Sequence, residues 1–297
     1  MPSSRVGSRD RSDRVAYLYL LPAFAVFGAF LAFPLVHGFW ISLYAWDGLS
    51  PSTWVGFGNY TDALTDGALG MAFLHSGVLL VFYAVIPICL ALVLTGVMTH
   101  ATRLRGLSFF RVVIFLPQVV ASVVIATTWT AIYAPDGVLN RFLAAIGLEI
   151  LARPWLGDFT WALPAIGLIG TWMEIGLCLV LFLAGVSQID PDLYEAARLD
   201  GAGAAREFFA VTLPGLRPQI AVALTLTVVA GLKTFDLVFV ATRGGPGTST
   251  TVPGFEVYHR AFDLNQVGSA CAVGILLTLV IFAATTLIRR LDSGERA

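Results

Sequence analysis

Six long apolar segments constrain the fold of this chain more than any other feature of its sequence. A helix needs roughly 20 mostly apolar residues to cross the hydrocarbon core of a bilayer. The connections between the segments hold no hydrophobic pattern that would build a water-soluble core. We therefore predict an all-α membrane protein with six transmembrane helices, called spans 1 to 6, at about residues 15–43, 72–98, 109–133, 161–186, 220–241 and 267–288.

The composition agrees with a protein that is solvated by lipid. Hydrophobic residues make up 57% of the 297 residues, and charged residues make up only 12%. Soluble domains are about 45–50% apolar and about 25% charged, so this chain has too few charges to cover a water-facing surface. The net charge of -1 and the lack of a basic block with interleaved aromatic residues argue against a nucleic-acid partner.

Arginine is unevenly distributed between alternate connections, and this predicts the orientation of the spans. Cytoplasmic loops of membrane proteins have an excess of Lys and Arg. Thirteen arginines fall in the two tails and in the loops after spans 2 and 4, against four in the other loops. Both termini are therefore predicted to be cytoplasmic. The thirteen are Arg5, Arg9, Arg11, Arg14, Arg103, Arg105, Arg111, Arg198, Arg206, Arg217, Arg289, Arg290 and Arg296.

A short helix is predicted in the loop between spans 4 and 5. Asp190 followed by Pro191 is a typical helix start, because Asp caps the first turn and Pro fits the first helical position. Gly201 and Gly203 end or interrupt the helix, and an apolar pattern resumes before span 5. The periodicity alone fits a solvated loop as well as a helix whose small side chains insert into a groove on a partner protein.

The same loop resembles the EAA loop of the permease subunits of ABC importers. The matching residues have the spacing of that family, with Val211 in place of the usual isoleucine. The resemblance implies a coupling helix that docks in a cleft of an ATPase subunit, with Glu195 making a polar contact. The residues that it assigns to coupling are Glu195, Ala196, Ala197, Asp200, Gly201, Leu213 and Pro214.

Further motifs resemble the maltose and glycerol-3-phosphate branch of these permeases. The Gly-Gly-Pro sequence at 244–246 is similar to the MalF-like rather than the MalG-like member. The resemblance implies a type I importer (MetI-like) permease fold, divided into a tail (1–14), a first span with its external loop (15–71), a permease domain (72–290) that contains the EAA loop (190–218), and a second tail (291–297). The motifs lie at 115–117, 135–140, 182–186, 233–236 and 242–247.

This family membership would make the chain a non-catalytic, multi-pass subunit of the bacterial inner membrane. The resemblance implies alternating-access import of a carbohydrate or sugar-like solute, driven by ATP. The expected partners are a second, homologous permease, two ABC ATPase subunits, an extracytoplasmic solute-binding protein and the lipid bilayer. No cofactor is expected on this chain, since ATP and Mg²⁺ would bind the ATPase.

Three ionisable residues stand out within the predicted spans, where a charge is costly and often functional. Glu174 lies near the middle of span 4, and Lys233 and Asp236 lie three residues apart in span 5, on one face of a continuous helix. Two interpretations stay open for the pair. It is either an ion pair that fixes span 5 to a neighbour or part of a polar patch that lines a solute cavity.

Aromatic residues in spans 3 to 5 complete the candidate solute cavity. Sugar rings pack on aromatic faces, and sugar hydroxyls bond to polar side chains. Hydroxyls on membrane helices often bond only to their own backbone, so Gln118, Thr127, Thr128 and Asn140 are weaker candidates. The cavity candidates are Trp129, Trp172, Glu174, Lys233, Phe235 and Asp236.

Two other classes of protein compete with this interpretation. An ion-coupled secondary transporter would use Glu174, Lys233 and Asp236 as its relay, but the inverted repeats and broken helices of such transporters are not evident in the sequence. A membrane enzyme acting on lipid would need paired catalytic residues near a membrane face.

The three cysteines lie in apolar segments without metal-site spacing, so they are predicted to be packing residues and no metal is expected.

Overall fold

The structure is a computed structural model, and it describes residues 19–100 and 107–294. Helices dominate it, and one short antiparallel hairpin is present. In chain order the elements are α1 (Tyr19–Ser42), β1 (Tyr44–Ala45), β2 (Thr53–Trp54), α2 (Gly58–Thr65), α3 (Ala68–Thr99), α4 (Leu107–Val119), α5 (Ser122–Ile132), α6 (Val138–Ala145), α7 (Ala162–Val186), α8 (Pro191–Leu199), α9 (204–215), α10 (Arg217–Leu232), α11 (Asp236–Ala241), α12 (Pro253–Tyr258) and α13 (Val267–Gly294).

Five of the six predicted spans are confirmed as helices that are long and apolar enough to cross a membrane. Spans 1, 2, 4 and 6 correspond to α1, α3, α7 and α13. Span 5 corresponds to Arg217–Ala241, which contains α10 and α11. The predicted boundaries are correct to within a few residues, because the apolar runs end close to where the helices end.

Span 3 is present as a bent pair of helices and not as one continuous helix. α4 and α5 meet at an angle of 100°, with Val120 and Ala121 between them outside either helix. Pro117 has no N–H to donate to the turn before it, and β-branched valines follow at 119 and 120. Ala121 then adopts an extended conformation with ψ of 134°. The apolar run therefore folds as two short helices.

Helix α7 forms the centre of the bundle. In an apolar stretch of 18 residues within α7, 56% of the residues are buried, whereas no residue is buried in the corresponding stretch of α1. Glycine allows close contact here, since a Cβ on Gly170 would lie 2.2 Å from the Tyr83 ring of α3. A Cβ on Gly176 would lie 2.4 Å from the backbone oxygen of Ile114 in α4. Small residues at such positions let membrane helices pack backbone to backbone.

Helix α1 lies at the edge of the bundle and has an apolar surface. Tyr19 and Phe30 are each 80% exposed, as expected of side chains that face lipid or another subunit. Its C-terminal end is held by Ser42, whose hydroxyl bonds to the Tyr60 hydroxyl at 2.6 Å, and by Asn59, which donates to the Ser42 carbonyl. The predicted tail 1–14, the first residues of span 1 (15–18), Arg103, Arg105 and Arg296 lie outside the described residues.

Candidate solute cavity and coupling surface

The two broken spans meet where their helices are interrupted. The first residues of α5 and α11 are joined by Ser122, whose hydroxyl donates to the Asp236 carboxylate at 2.5 Å. Irregular backbone at membrane depth is tolerated only where protein buries it or where it lines a water-filled cavity. This junction, formed by residues 120–122 and 233–236, is called the break site below. Several of the predicted cavity residues lie at it.

Lys233 and Asp236 do not lie on one face of a continuous helix, contrary to the prediction from their spacing. Lys233 directly follows α10 and caps its end, with φ of -88° and ψ of 0°. Phe235 has φ of -137°, before α11 begins at Asp236. Both charged side chains are exposed. Within the described residues they form no ion pair, and Asp236 bonds to Ser122 instead. The ion-pair interpretation is therefore wrong for this conformation.

Thr234 anchors the break site to α3, a contact that sequence analysis missed. Its side chain is buried and bonds to the Tyr83 hydroxyl at 3.0 Å. The two residues lie 151 positions apart, so no local pattern could reveal the contact. The interruption in span 5 is thus held in place by a buried polar bond.

The aromatic candidates form two separate groups. Trp129 and Trp172 make an edge-to-face contact with ring centroids 5.6 Å apart, and Trp172 remains 43% exposed. Phe235 stacks on Phe239 at 5.2 Å, and Phe239 contacts Tyr258 at 4.8 Å. Helix α5 links the groups, because it provides both Trp129 and Ser122. The exposed ring of Trp172 and the exposed side chains of Lys233 and Asp236 are the kinds of group that bind a hydroxylated ring.

Glu174 differs from the other cavity candidates because it is buried. It is only 5% exposed, and its Oε2 atom has no hydrogen-bond partner among the described residues. Gln118 has a similarly buried Oε1 atom without a partner in the described part of the chain, and Ser76, Gln219 and Ser249 each have one such atom. Buried polar atoms are normally bonded, so the charged group among them, Glu174, stands out. Glu174 is therefore not part of the exposed surface to which Trp172 of the same helix contributes.

Three of the four weaker candidates, Thr127, Thr128 and Asn140, have structural roles. Thr127 and Thr128 donate to the carbonyls of Val123 and Val124 one turn earlier, as predicted for hydroxyls on membrane helices. Asn140 is buried, and its Oδ1 accepts from the Trp155 indole at 2.8 Å. These three side chains are already bonded to the chain itself.

The predicted helix between spans 4 and 5 is confirmed as α8. Asp190 caps it, since its carboxylate accepts from the Asp192 N–H at 3.0 Å. Gly201 follows with φ of +75°, and its N–H donates to the Arg198 carbonyl at 3.0 Å. The positive φ explains glycine at this position, because it has no Cβ to clash. The capping and stop signals were therefore interpreted correctly.

Most of the seven predicted coupling residues are exposed, and three of the seven lie in helix α8. None of its residues is buried, and Leu199 is 89% exposed. Glu195, Ala196, Asp200 and Gly201 are exposed, Ala197 and Leu213 are half-buried, and Pro214 is exposed. An uncovered helix of this kind, with leucine and alanine on its surface, has the properties of a protein-docking element.

In the described part of the chain, no cluster of three His, Cys, Asp or Glu side chains could hold a metal ion.

Comparisons with known proteins agree with this architecture. Residues 93–296 match the family described as the inner membrane component of binding-protein-dependent transport systems. The chain is 34% identical to the probable ABC transporter permease protein YurN of Bacillus subtilis, over 92% of this chain and 94% of YurN. It is 32% identical to the diacetylchitobiose uptake system permease protein NgcF of Streptomyces coelicolor, over 99% of this chain and 89% of NgcF.

A solved structure is similar over almost the whole length. It is a bacterial ABC transporter involved in the import of the acidic polysaccharide alginate. The TM-score is 0.80 at 25% sequence identity, covering 98% of this chain and 99% of the matched chain. The family match covers more than half of the described chain, and the curated relatives agree with it. The chain is therefore a non-catalytic, multi-pass member of the family of inner membrane components of binding-protein-dependent transport systems.

Proposed function

We propose that this chain is the MalF-like permease subunit of an ATP-driven importer for a neutral carbohydrate. The observation that best supports the proposal is the exposed, capped helix α8, which bears the coupling motif of the family to which the chain belongs. Carbohydrate is favoured by the names of the relatives, since NgcF is a diacetylchitobiose permease and the matched structure imports alginate. A phosphorylated solute would call for more than one cation, and Lys233 is the only lysine or arginine away from the ends of the predicted spans, since Arg111 lies at the start of span 3.

In this proposal the solute occupies the break site during transport. Asp236 and Lys233 would bond to its hydroxyls, and Trp172, Trp129 and Phe235 would contact its ring faces. Lys233, Asp236 and Trp172 are exposed in the structure, and Phe235 is half-buried. Trp129 is also half-buried and contacts the Trp172 ring. Glu174 would act from beneath this surface, as an acceptor that becomes bonded when the cavity changes shape.

The proposal requires partners beyond this chain. A second permease would complete the pore, two ABC ATPase subunits would bind ATP and Mg²⁺, and an extracytoplasmic protein would deliver the solute. One ATPase would dock on α8 through Glu195, Ala196 and Ala197. Closure of the ATPase dimer would then move α8 and turn the cavity from one side of the membrane to the other. Both termini would be cytoplasmic, with the permease domain at 72–290.

The ion-coupled alternative has no support from the comparisons. The structure does contain broken helices, which the sequence did not reveal and which secondary transporters also have. Family membership nevertheless assigns the chain to binding-protein-dependent transport. The broken helices are accounted for by the cavity that such a permease also needs.

A co-purification experiment tests the proposal. The tagged chain is isolated from its native membrane in mild detergent, and the co-purifying proteins are identified. We expect an ABC ATPase and a second six-span permease in stoichiometric amounts. A chain that is isolated alone, or only with copies of itself, would contradict the proposal. The control is Glu195→Ala, which should reduce recovery of the ATPase without reducing recovery of the second permease.

A further inference from the structure

Two side-chain contacts join the exposed helix α8 to helix α9. The Arg198 guanidinium donates from Nε to Glu207 Oε2 at 3.0 Å and from Nη2 to Glu207 Oε1 at 3.2 Å. Four residues before Arg198 in the chain, the Tyr194 hydroxyl bonds to the Thr212 hydroxyl at 3.2 Å. These four side chains are called the α8–α9 clamp below. None of them belongs to the coupling residues that the motif assigns.

The side of the clamp on α9 is buried, and the side on α8 is not. Glu207 is 4% exposed and Thr212 is fully buried, whereas the Arg198 side chain is 62% exposed. A buried carboxylate is costly unless it is paired and hydrogen-bonded. A two-pronged arginine–carboxylate bond also fixes the relative orientation of the two groups. The clamp therefore ties a surface helix to a buried point of the membrane domain.

The chain between α8 and α9 would transmit little force by itself. It consists of residues 200–203, and two of these four are glycines. Glycine permits more backbone conformations than any other residue, so such a connection gives way when one end is displaced. A displacement of α8 is therefore transmitted to α9 mainly by contacts outside the connection, and the clamp provides two such contacts.

Beyond the clamp, the chain continues as helix into span 5. A single residue, Leu216, separates α9 from α10, and it is fully buried. It packs against the end of span 4 so closely that a Cβ on Gly185 would lie 2.6 Å from Leu216 Cδ2. Nine residues separate Glu207 from Leu216, a rise of about 13 Å along a helix. In this geometry, a displacement of α9 would tilt α10 about the buried residue Leu216.

The far end of α10 is the break site. Helix α10 ends at Leu232, and Lys233, Thr234 and Phe235 follow directly. We propose that Arg198 and Tyr194 are positioning residues that pass the movement of α8 to α10 through Glu207 and Thr212. The proposal rests on the function proposed above, in which an ATPase moves α8. It adds that the clamp, and not the glycine-rich connection, transmits the movement.

Distance measurements between two spin labels test the clamp directly. One label is placed at Leu199→Cys on α8 and one at Val222→Cys on α10, both exposed positions, after replacement of the native cysteines. The whole complex is measured in nanodiscs, before and after addition of ATP, Mg²⁺ and vanadate. With the clamp intact, the two helices move as one unit, and the distance stays the same in both states.

The substitutions separate transmission from docking and from folding. In Arg198→Ala and Tyr194→Phe, we expect the distance to broaden or to change by more than about 2 Å on ATP–vanadate, the scale of helix shifts in switching proteins. Arg198→Lys keeps the charge but loses the two-pronged bond, so it should show a smaller change. Arg206→Lys is the matched control, since Arg206 is exposed on α9 and forms no ion pair among the described residues. The exchange Arg198→Glu with Glu207→Arg should restore a narrow distribution.

Three results would overturn the proposal that the clamp transmits the movement of α8. The first is an unchanged distance in Arg198→Ala, and the second is a distance that already changes in the unsubstituted chain. The third is loss of the ATPase from purified Arg198→Ala, since Arg198 would then be a docking contact. If the unsubstituted complex contains no ATPase at all, the proposed function fails and not the clamp alone.

Discussion

Helix α8 and the break site are held in place in different ways. Helix α8 depends on near neighbours in the chain, from its Asp190 cap to the Glu207 carboxylate nine residues after Arg198. The break site depends on partners far away in sequence, since Ser122 and Asp236 lie 114 positions apart and Tyr83 and Thr234 lie 151 apart. A substitution on α8 should therefore change contact with a partner protein. A substitution at the break site should change the arrangement of three helices.

Substitution of Gly201 should have the largest effect and should leave the membrane domain intact. Gly201 has φ of +75°, which a β-branched residue cannot adopt without strain of about 1–3 kcal/mol. We expect Gly201→Val to disrupt the end of α8 and to abolish solute uptake in reconstituted vesicles. Gly201→Asn is the matched control, because asparagine tolerates positive φ, and it should retain most uptake. Equal losses in the two variants would show that the backbone conformation is not the reason for glycine here.

Substitution of Asp236 should reduce solute affinity but not ATP hydrolysis. Loss of one charged hydrogen-bonding group from the break site should weaken the apparent affinity for solute about tenfold, or about 1.4 kcal/mol. The measurement is uptake by the reconstituted complex across a range of solute concentrations, with basal hydrolysis as the internal reference. Asp263→Asn is the control, because among the described residues the Asp263 carboxylate bonds to the His259 ring and not to the break site. An unchanged KM in Asp236→Ala would remove Asp236 from the cavity.

Substitution of Gly170 should lower stability and leave the affinity for partners unchanged. A methyl group at this position would overlap the Tyr83 ring, which lies 2.2 Å from the ideal Cβ. We expect Gly170→Ala to destabilise the domain by about 1–3 kcal/mol, the usual cost of overpacking, in thermal unfolding of the detergent-solubilised complex. Gly77→Ala on α3 has open space around its Cβ and should unfold like the unsubstituted chain. Equal midpoints for both variants would mean that α3 and α7 do not pack this closely.

Substitution of Thr127 should have the smallest effect. Its hydroxyl donates to the carbonyls of Val123 and Val124, within its own helix. We expect Thr127→Val to change stability by less than about 0.5 kcal/mol and to leave uptake unaltered. A tenfold loss of uptake in this variant would extend the cavity along α5 beyond the break site.

The sequence was sufficient to predict the spans and the short helix between spans 4 and 5, because both depend on local patterns. Apolar runs marked five spans, and Asp190, Pro191 and Gly201 marked the ends of α8. The breaks in spans 3 and 5 were missed, since membrane helices usually tolerate proline, and residues 233–235 contain no helix breaker. Those breaks are stabilised by Tyr83 and Ser122, whose positions become known only when the helices are packed together.

The most direct test of the account is the energy source for transport. The complex is reconstituted with its binding protein in sealed vesicles, and uptake of radiolabelled diacetylchitobiose, maltose and alginate trisaccharide is measured with ATP inside the vesicles. The account predicts that uptake of the transported sugar requires internal ATP and continues when an ionophore removes the proton and sodium gradients. Uptake that proceeds without ATP and stops with the ionophore would contradict it, and would return Glu174, Lys233 and Asp236 to the role of an ion relay.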